Sequence, residues 1–143
     1  MAVEDILTKI ISILRTDNDL SYVRTVLVGD RPEDYSVVYT NITVEPVSNV
    51  TDRVLEDRRK LNIFRCMIAG AILIQDIEAQ VLGNATNKGI MDVEKDIKNA
   101  LMKYYPDLDG NCLYFMLSTN AYSMLESGKG RVVFIEGTFY YTE

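Results

Sequence analysis

Two segments of the chain place apolar residues at i, i+3, i+4 and i+7, the spacing that lines one face of an α-helix. The first begins at Val3 and ends at the polar residues 17–19. The second follows the glycine- and asparagine-rich residues 83–89, covers residues 90–101 and ends before Pro106. Acidic residues lie early in both segments and basic residues late, as the helix dipole favours. The sequence therefore predicts two amphipathic helices.

β-Branched and aromatic residues, several of them alternating with polar residues, are typical of strands. They predict strands at residues 22–28, 35–45, 63–78, 112–118 and 131–141. Pro46 is expected to end the second strand, because proline lacks the N–H group that a paired strand donates. Residues 47–62 are polar and charged, which predicts a long surface loop with one helical turn. The last two strands are expected to pair as an antiparallel hairpin with a long tip closed by the glycine-rich residues 127–130.

The order of helix, strands, helix and strands predicts one domain over residues 1–143 with an α+β fold. We expect a mainly antiparallel sheet of four to five strands flanked by the two amphipathic helices. The middle of the strand at residues 63–78 is continuously apolar, which is typical of a strand that is covered on both faces. A helix is expected on one face, and a helix or a neighbouring subunit on the other.

Composition fits a folded domain without a disulfide or a metal, since the 143 residues are 48% hydrophobic and 25% charged. The two cysteines are far apart and flanked by apolar residues, which favours buried free thiols and a reducing compartment. The first five residues include two acids and no basic residue, unlike a secretory signal. The longest apolar run, residues 66–74, is shorter than the ~20 residues of a membrane-spanning helix, so no membrane contact is expected.

Several chemistries are disfavoured by the residue types present. The chain has no histidine, the commonest general base and the commonest nitrogen ligand of metals. Two separated cysteines do not form a Cys₄ zinc site, and neither lies in a motif that activates a thiol. The net charge of −6 argues against wrapping nucleic acid, because that affinity comes mostly from Lys and Arg. We therefore expect no enzyme and no direct DNA binding.

Three short segments resemble ligand sites only superficially. Residues 107–111 carry two aspartates, a glycine and an asparagine, but the register of a calcium loop places Tyr105 and Met116 where oxygen ligands are required. The three acids within residues 92–96 are spaced by two, which spreads them around a helix. Residues 128–130 lack the spacing of a phosphate-binding loop. No catalytic, cofactor-binding or metal-binding residue is predicted, and no cofactor.

Nine tyrosines and no tryptophan make tyrosine the main amphipathic aromatic residue, a type enriched in protein interfaces. The strand at residues 131–141 ends with aromatic residues on both faces. Core packing and a subunit contact explain this pattern equally well. As a hypothesis, the oligomer interface contains Ile72, Ile74, Phe139, Tyr140 and Tyr141.

A strand reaches a proline in Ile42-Thr43-Val44-Glu45-Pro46, and an apolar strand occupies residues 64–77. A helix then ends in Lys98-Asn99-Ala100-Leu101, and the last strand begins at Arg131 and ends in aromatic residues at Tyr141. This order of elements resembles the tail terminator, or tail completion, proteins of long-tailed bacteriophages. The likeness covers nearly the whole chain and rests on layout and size.

This resemblance implies a subunit that forms a closed ring, typically a hexamer, on the end of the tail tube. Such a ring stops tube polymerisation and joins the tail to the head. The implied partners are further copies of the chain, the tail tube protein and the neck or connector proteins, with DNA only passing through the lumen. The implied location is the virion tail or neck, after assembly in the host cytoplasm.

Three other functions remain open at this point. The first is another phage head-to-tail joining or tail tube protein, which a similar layout also serves. The second is a small non-viral α/β domain that binds a ligand. The third is a metal-dependent enzyme that relies on Asp and Glu alone.

Overall fold

A computed structural model describes residues 3–29, 39–74, 76–125 and 128–143 of the chain. Within these ranges the α-helices and β-strands, in chain order, are α1 (Val3–Thr16), β1 (Thr25–Val28), β2 (Asn41–Val54), β3 (Lys60–Leu73), α2 (Ile77–Leu82), α3 (Ile90–Met102), β4 (Tyr114–Met124) and β5 (Gly130–Thr142), and a short 3-10 helix at Asn18–Leu20 follows α1. The fold is α+β. The two predicted amphipathic helices are confirmed as α1 and α3, and the short helix α2 is an addition to the prediction.

The five strands form a mixed sheet in the order β1-β2-β3-β5-β4. The pairs β2/β3, β3/β5 and β5/β4 are antiparallel, and β1 joins β2 in parallel. The expected mainly antiparallel sheet is therefore confirmed, with one parallel strand at its edge. β5 follows β4 in the chain but lies between β3 and β4 in the sheet, as the predicted hairpin requires.

Helices α1 and α3 pack against one face of the sheet, which we call the helix face. On β3 this face carries alternate buried residues: Phe64, Cys66, Ile68, Gly70 and Ile72. A Cβ atom at Gly70 would lie 2.7 Å from Val93 Cγ1 and 3.1 Å from Ile97 Cδ1, both on α3. The close approach of α3 to the sheet therefore depends on the missing side chain at position 70.

Polar contacts fix α1 to the rest of the domain at several points. The Arg15 guanidinium donates a hydrogen bond to the Val26 carbonyl of β1 at 2.9 Å. Lys9 Nζ lies 3.0 Å from the Asp109 carboxylate, in the turn that precedes β4. After α1 ends, the Asp17 carboxylate accepts a hydrogen bond from Lys103 Nζ at the end of α3, at 2.8 Å.

An aromatic row crosses three strands on the helix face. Phe64 on β3 is the register partner of Phe139 on β5, which is the partner of Phe115 on β4. The ring centroids of Phe115 and Phe139 lie 5.4 Å apart, and those of Phe64 and Phe139 lie 6.3 Å apart. Gly137 provides space for this row, because a Cβ atom there would lie 2.7 Å from the ring of Phe139. Such aromatic pairs contribute about 0.5–1.5 kcal/mol each beyond the burial of their area.

The prediction that Pro46 ends its strand is wrong. β2 continues to Val54 and β3 begins at Lys60, so most of the predicted loop at residues 47–62 is a pair of antiparallel strands. The pairing changes register between Pro46 and Ser48, which marks a bulge or irregularity. β1 pairs with β2 only as far as Val44, so Pro46 lies where one side of β2 has no described neighbour strand. Edge positions of this kind tolerate a proline.

Other predicted boundaries also differ from the structure. β1 begins at Thr25, three residues later than predicted, and residues 35–38 of the next predicted strand lie outside the described ranges. β3 ends at Leu73, after which Asp76 caps α2 by accepting a hydrogen bond from the Glu78 N–H. β4 begins at Tyr114 and extends to Met124. The hairpin between β4 and β5 consequently has a shorter tip than the predicted residues 119–130.

Candidate interaction surface

The face of the sheet opposite α1 and α3, which we call the open face, is mostly apolar along its central strand β3. On β3 it carries Leu61, Ile63, Arg65, Met67, Ala69, Ala71 and Leu73, the alternate residues to those on the helix face. Its centre is buried or half-buried, whereas its margins are exposed at Leu73, Val50 of β2 and Met116 of β4. Apolar side chains exposed together on one face are typical of interaction surfaces.

A pair of stacked tyrosines lies at one end of the open face. The rings of Tyr114 on β4 and Tyr140 on β5 are register partners, 4.3 Å apart between centroids and inclined by 11°. Tyr114 is 41% exposed. Desolvation, followed by the neighbouring Tyr140 hydroxyl, raises the pKa of the Tyr114 phenol, so this phenol stays neutral well above physiological pH. The stack offers a flat, uncharged aromatic surface of the kind enriched in interfaces.

The middle of the open face contains an ion pair. Arg65 Nε on β3 lies 3.6 Å from the Glu136 carboxylate on β5, and their side chains are about one third exposed. An ion pair with this access to solvent contributes little to stability. Its two charges nevertheless lie at a defined position on the apolar face, and a partner surface needs complementary polar groups there.

The structure places the five residues of the interface hypothesis in three different settings. Ile72, Phe139 and Tyr141 belong to the buried core on the helix face, and the Tyr141 hydroxyl donates a hydrogen bond to Asn49 Oδ1 at 2.8 Å. Their burial is thus accounted for by the chain itself. Ile74 is half-buried against the core, just beyond the end of β3. Of the five, Tyr140 is the residue that faces away from the helices, which leaves it as the one open-face candidate of the set.

Two edges of the sheet lack a described partner strand. β4 ends the sheet on one side. On the other side β1 covers β2 only at Asn41–Val44, so the outer side of residues 45–54 of β2 is not paired within the described ranges. Unpaired backbone N–H and C=O groups along a strand edge are sites at which another strand can add.

A polar cleft of about 870 Å³ lies beside the start of α3. Its lining includes Arg24, Lys88 and the loop of residues 84–87. Lys88 Nζ lies 5.5 Å from the centre of the Tyr22 ring, within reach of a cation–π contact. The Asp92 carboxylate, also in the lining, accepts a hydrogen bond from the Gly89 N–H at 3.0 Å and so caps α3. The cleft has the size of a small-ligand site, but its acid is already used by the fold.

The other acids of the 92–96 segment also have structural partners. The Glu94 carboxylate accepts hydrogen bonds from the hydroxyls of Thr119 and Tyr122, each at 2.6 Å. Burial opposes its ionisation, but these two hydrogen bonds hold the pKa of Glu94 below its usual value. Asp96 accepts a hydrogen bond from the Tyr22 hydroxyl at 2.8 Å. Within the described ranges, no three Cys, Asp or Glu side chains gather as a metal site requires.

Both cysteines are free and buried among the described residues. Burial raises the pKa of the Cys66 thiol to about 12. Burial, and then the nearby Asp107 carboxylate, raise the pKa of the Cys112 thiol to about 12. Since the thiolate is the reactive form, both behave as small core residues.

No helix in the part of the chain that the structure describes is both long and apolar enough to cross a bilayer. No protein-family model matches the chain, and no curated protein has a matching sequence. A functional assignment therefore depends on the layout of the elements and on the surfaces that they leave exposed.

The edge of β2 was not predicted, because the polar and charged character of residues 47–62 indicated a loop. A signal was present in Val47, Val50 and Val54, whose β-branched side chains recur between the polar residues. The outer half of β4, where Tyr122 and Met124 continue the strand past Ser118, was not predicted either.

Proposed function

We propose that this chain is a structural subunit that assembles into a closed ring, most simply a hexamer, on the end of a bacteriophage tail tube. The ring stops tube polymerisation and joins the tail to the head. Its partners are further copies of itself, the tail tube protein and the neck or connector proteins. In this proposal the protein works in the tail or neck of the virion, after assembly in the host cytoplasm, and catalyses no reaction.

The observation that carries the proposal is the apolar open face, which neither α1 nor α3 covers. In a subunit that works alone, a face with Leu73, Met116 and the Tyr114/Tyr140 stack would be in contact with water. Assembly removes such surface from water, with a gain of roughly 25 cal/mol per Å² of apolar area before the costs of association. Burial between subunits would account for the apolar side chains at the exposed margins of this face, which the chain itself leaves uncovered.

The charge of the chain also supports a conduit for DNA. The net charge is −6, and a channel lined by carboxylates repels a passing phosphate backbone. DNA then moves through the lumen without adhering to it. A protein that held DNA would need the opposite charge.

The test begins with native mass spectrometry of the purified chain over a range of concentrations. We expect a closed ring of fixed subunit number. Tail tube protein from the same phage is then polymerised with and without the chain, and tube lengths are measured by negative-stain electron microscopy. Shorter tubes with a ring at one end support the capping function. Long filaments of the chain alone indicate a tail tube protein instead, and a strict monomer that leaves tube length unchanged contradicts the proposal.

A small ligand-binding domain is the second candidate, because the 870 Å³ cleft has a suitable size. This function needs no ring. A monomer whose melting temperature rises with a small polar ligand, and loses that response in Arg24→Ala, would favour it.

A further inference from the structure

β4 is an edge strand without the usual protection against strand addition. Its 11 residues, Tyr114–Met124, include no Lys, Arg, Asp, Glu or Pro. Proteins commonly protect a free edge with such residues, or with a bulge that bends the strand away. β4 has a register irregularity between Thr119 and Ala121, so its regular part is the first half. Met116, in this half, is 52% exposed.

The outer edge of β2, beyond its pairing with β1 and unpaired within the described ranges, has a regular stretch at the same height in the sheet. The pairing of β2 with β3 shifts between Pro46 and Ser48 and again between Thr51 and Arg53, which leaves residues 48–51 in register. Val50, within this stretch, is 48% exposed. Pro46 and the charged residues 52–53 flank the stretch and limit how far a partner strand can pair.

The register relations place the two edge stretches level with each other. Ser48 of β2 is opposite Arg65 of β3, which is opposite Thr138 of β5, which is opposite Met116 of β4. In the same way, the row that starts at Val50 ends at Tyr114. Two subunits side by side at equal height therefore bring residues 114–116 of one against residues 48–50 of the other.

The strand directions agree with this contact. Three successive antiparallel pairings separate β2 from β4, so these two edges run in opposite directions. Subunits that point the same way then present β4 and β2 as an antiparallel pair. A contact between two different surfaces that repeats without a step along the axis gives a closed ring when the rotation between neighbours divides a full turn, and it does not climb into a helix.

We propose that neighbouring copies of this chain join edge to edge, the β4 strand of one copy (residues 114–116) pairing antiparallel with the β2 strand of the next (residues 48–50). The inference rests on the proposed function in that it specifies how the ring closes. Backbone hydrogen bonds supply the pairing. The side chains of Met116 and Val50 lie at the seam, where burial of their apolar surface adds to the contact.

Cysteine cross-linking tests this pairing with the double variant Ser48→Cys and Met116→Cys. Within one subunit these positions are separated by three strand spacings, roughly 14 Å, beyond the ~7 Å that a disulfide can span. A disulfide between them must therefore join two subunits. On oxidation we expect a series of covalent oligomers up to the closed ring on a non-reducing gel. Each single variant should remain uncross-linked, since Cys66 and Cys112 are buried.

A charge at the seam provides a second measurement. Met116→Lys should raise the concentration of half-assembly at least about tenfold, because an edge lysine opposes strand addition. Met102→Lys is the matched control, since Met102 is 45% exposed but lies on α3. Circular dichroism of both variants confirms that each is folded.

The outcomes separate the edge contact from the capping function. A ring in native mass spectrometry without the 48–116 disulfide overturns the edge pairing and leaves the ring. Covalent dimers from Met116→Cys alone indicate a two-fold β4–β4 contact and overturn the proposed one. A strict monomer without cross-links also overturns it. Cross-linked rings that leave tail tubes unchanged support the edge pairing and count against the capping function.

Discussion

The close packing of α3 on Gly70 decides whether a Gly70→Ala change raises or lowers the free energy of unfolding. At an open strand position, Gly→Ala stabilises a protein by about 0.4–1 kcal/mol, because it restricts the unfolded chain. At Gly70 the new methyl group would lie 2.7 Å from Val93 Cγ1 and 3.1 Å from Ile97 Cδ1. Overpacking of this kind costs about 1–3 kcal/mol. We therefore expect Gly70→Ala to lower the free energy of unfolding by about 1–2 kcal/mol.

Urea denaturation followed by circular dichroism measures this change, at one fixed subunit concentration so that assembly does not alter the comparison. A thermal scan should show a fall in melting temperature of about 3 °C per kcal/mol for a chain of this length. Val93→Ala completes a double-mutant cycle, because it removes the atom closest to the new methyl group. The double variant should be more stable than the sum of the two single changes predicts. A stabilised Gly70→Ala, or additive changes, would show that α3 does not press on the sheet at this point.

Three further predictions concern buried polar groups and thiols. The buried Gln80 amide donates to two carbonyls, at 2.7 and 3.2 Å, and accepts from a guanidinium at 3.1 Å. Gln80→Ala should therefore lower the free energy of unfolding, measured by urea denaturation, by about 2–4 kcal/mol. An unchanged urea midpoint would contradict this role. Burial opposes ionisation of Asp17, but hydrogen bonds from Lys103 and from a backbone N–H outweigh it and lower the pKa of Asp17. The stability that this shift contributes is present above the usual aspartate pKa and is lost as pH falls through the lowered one. In Lys103→Met the free energy of unfolding, measured from a pH series of unfolding curves, should therefore depend less on pH in that range. Cys66 and Cys112 should not react with a thiol reagent at about pH 8 in the folded protein and should both react after denaturation; rapid modification of the folded protein would refute their burial.

The helices were predictable from sequence because their signal is local. The apolar residues of α1 recur with the period of a helix, and polar residues 17–19 end it. The apolar residues of α3 also recur with the period of a helix, and α3 begins where the Asp92 carboxylate accepts a hydrogen bond from the Gly89 N–H. Each of these signals depends on residues within one turn of each other, so no knowledge of distant contacts is needed.

Strand boundaries depend on neighbours that the sequence does not reveal. Proline normally ends a paired strand, yet β2 continues past Pro46 because a bulge and an unpaired outer side remove the need for its N–H. Residues 47–54 look like a loop because they are polar, but they are polar because they lie at an exposed edge.

The candidate surface was only partly predictable for a related reason. The alternation of residues 139–141 correctly indicates two faces, but it does not say which face the helices cover. Phe139 and Tyr141 face the helices, and Tyr140 faces away. That choice is set by the register of β5 between β3 and β4, which brings together residues far apart in the chain.

The position of β5 has a consequence for the order of events during synthesis. β2 and β3 form a hairpin that can close as soon as both have left the ribosome, but β3 then has one vacant side. β4 emerges before β5 and has no strand to pair with, because β5 lies between it and β3. The sheet can therefore be completed only after β5 has emerged and has paired with both β4 and β3. Until that moment the chain exposes unpaired strands that favour aggregation, and β4, one of the two edges from which a ring would be built, is not yet in its final place.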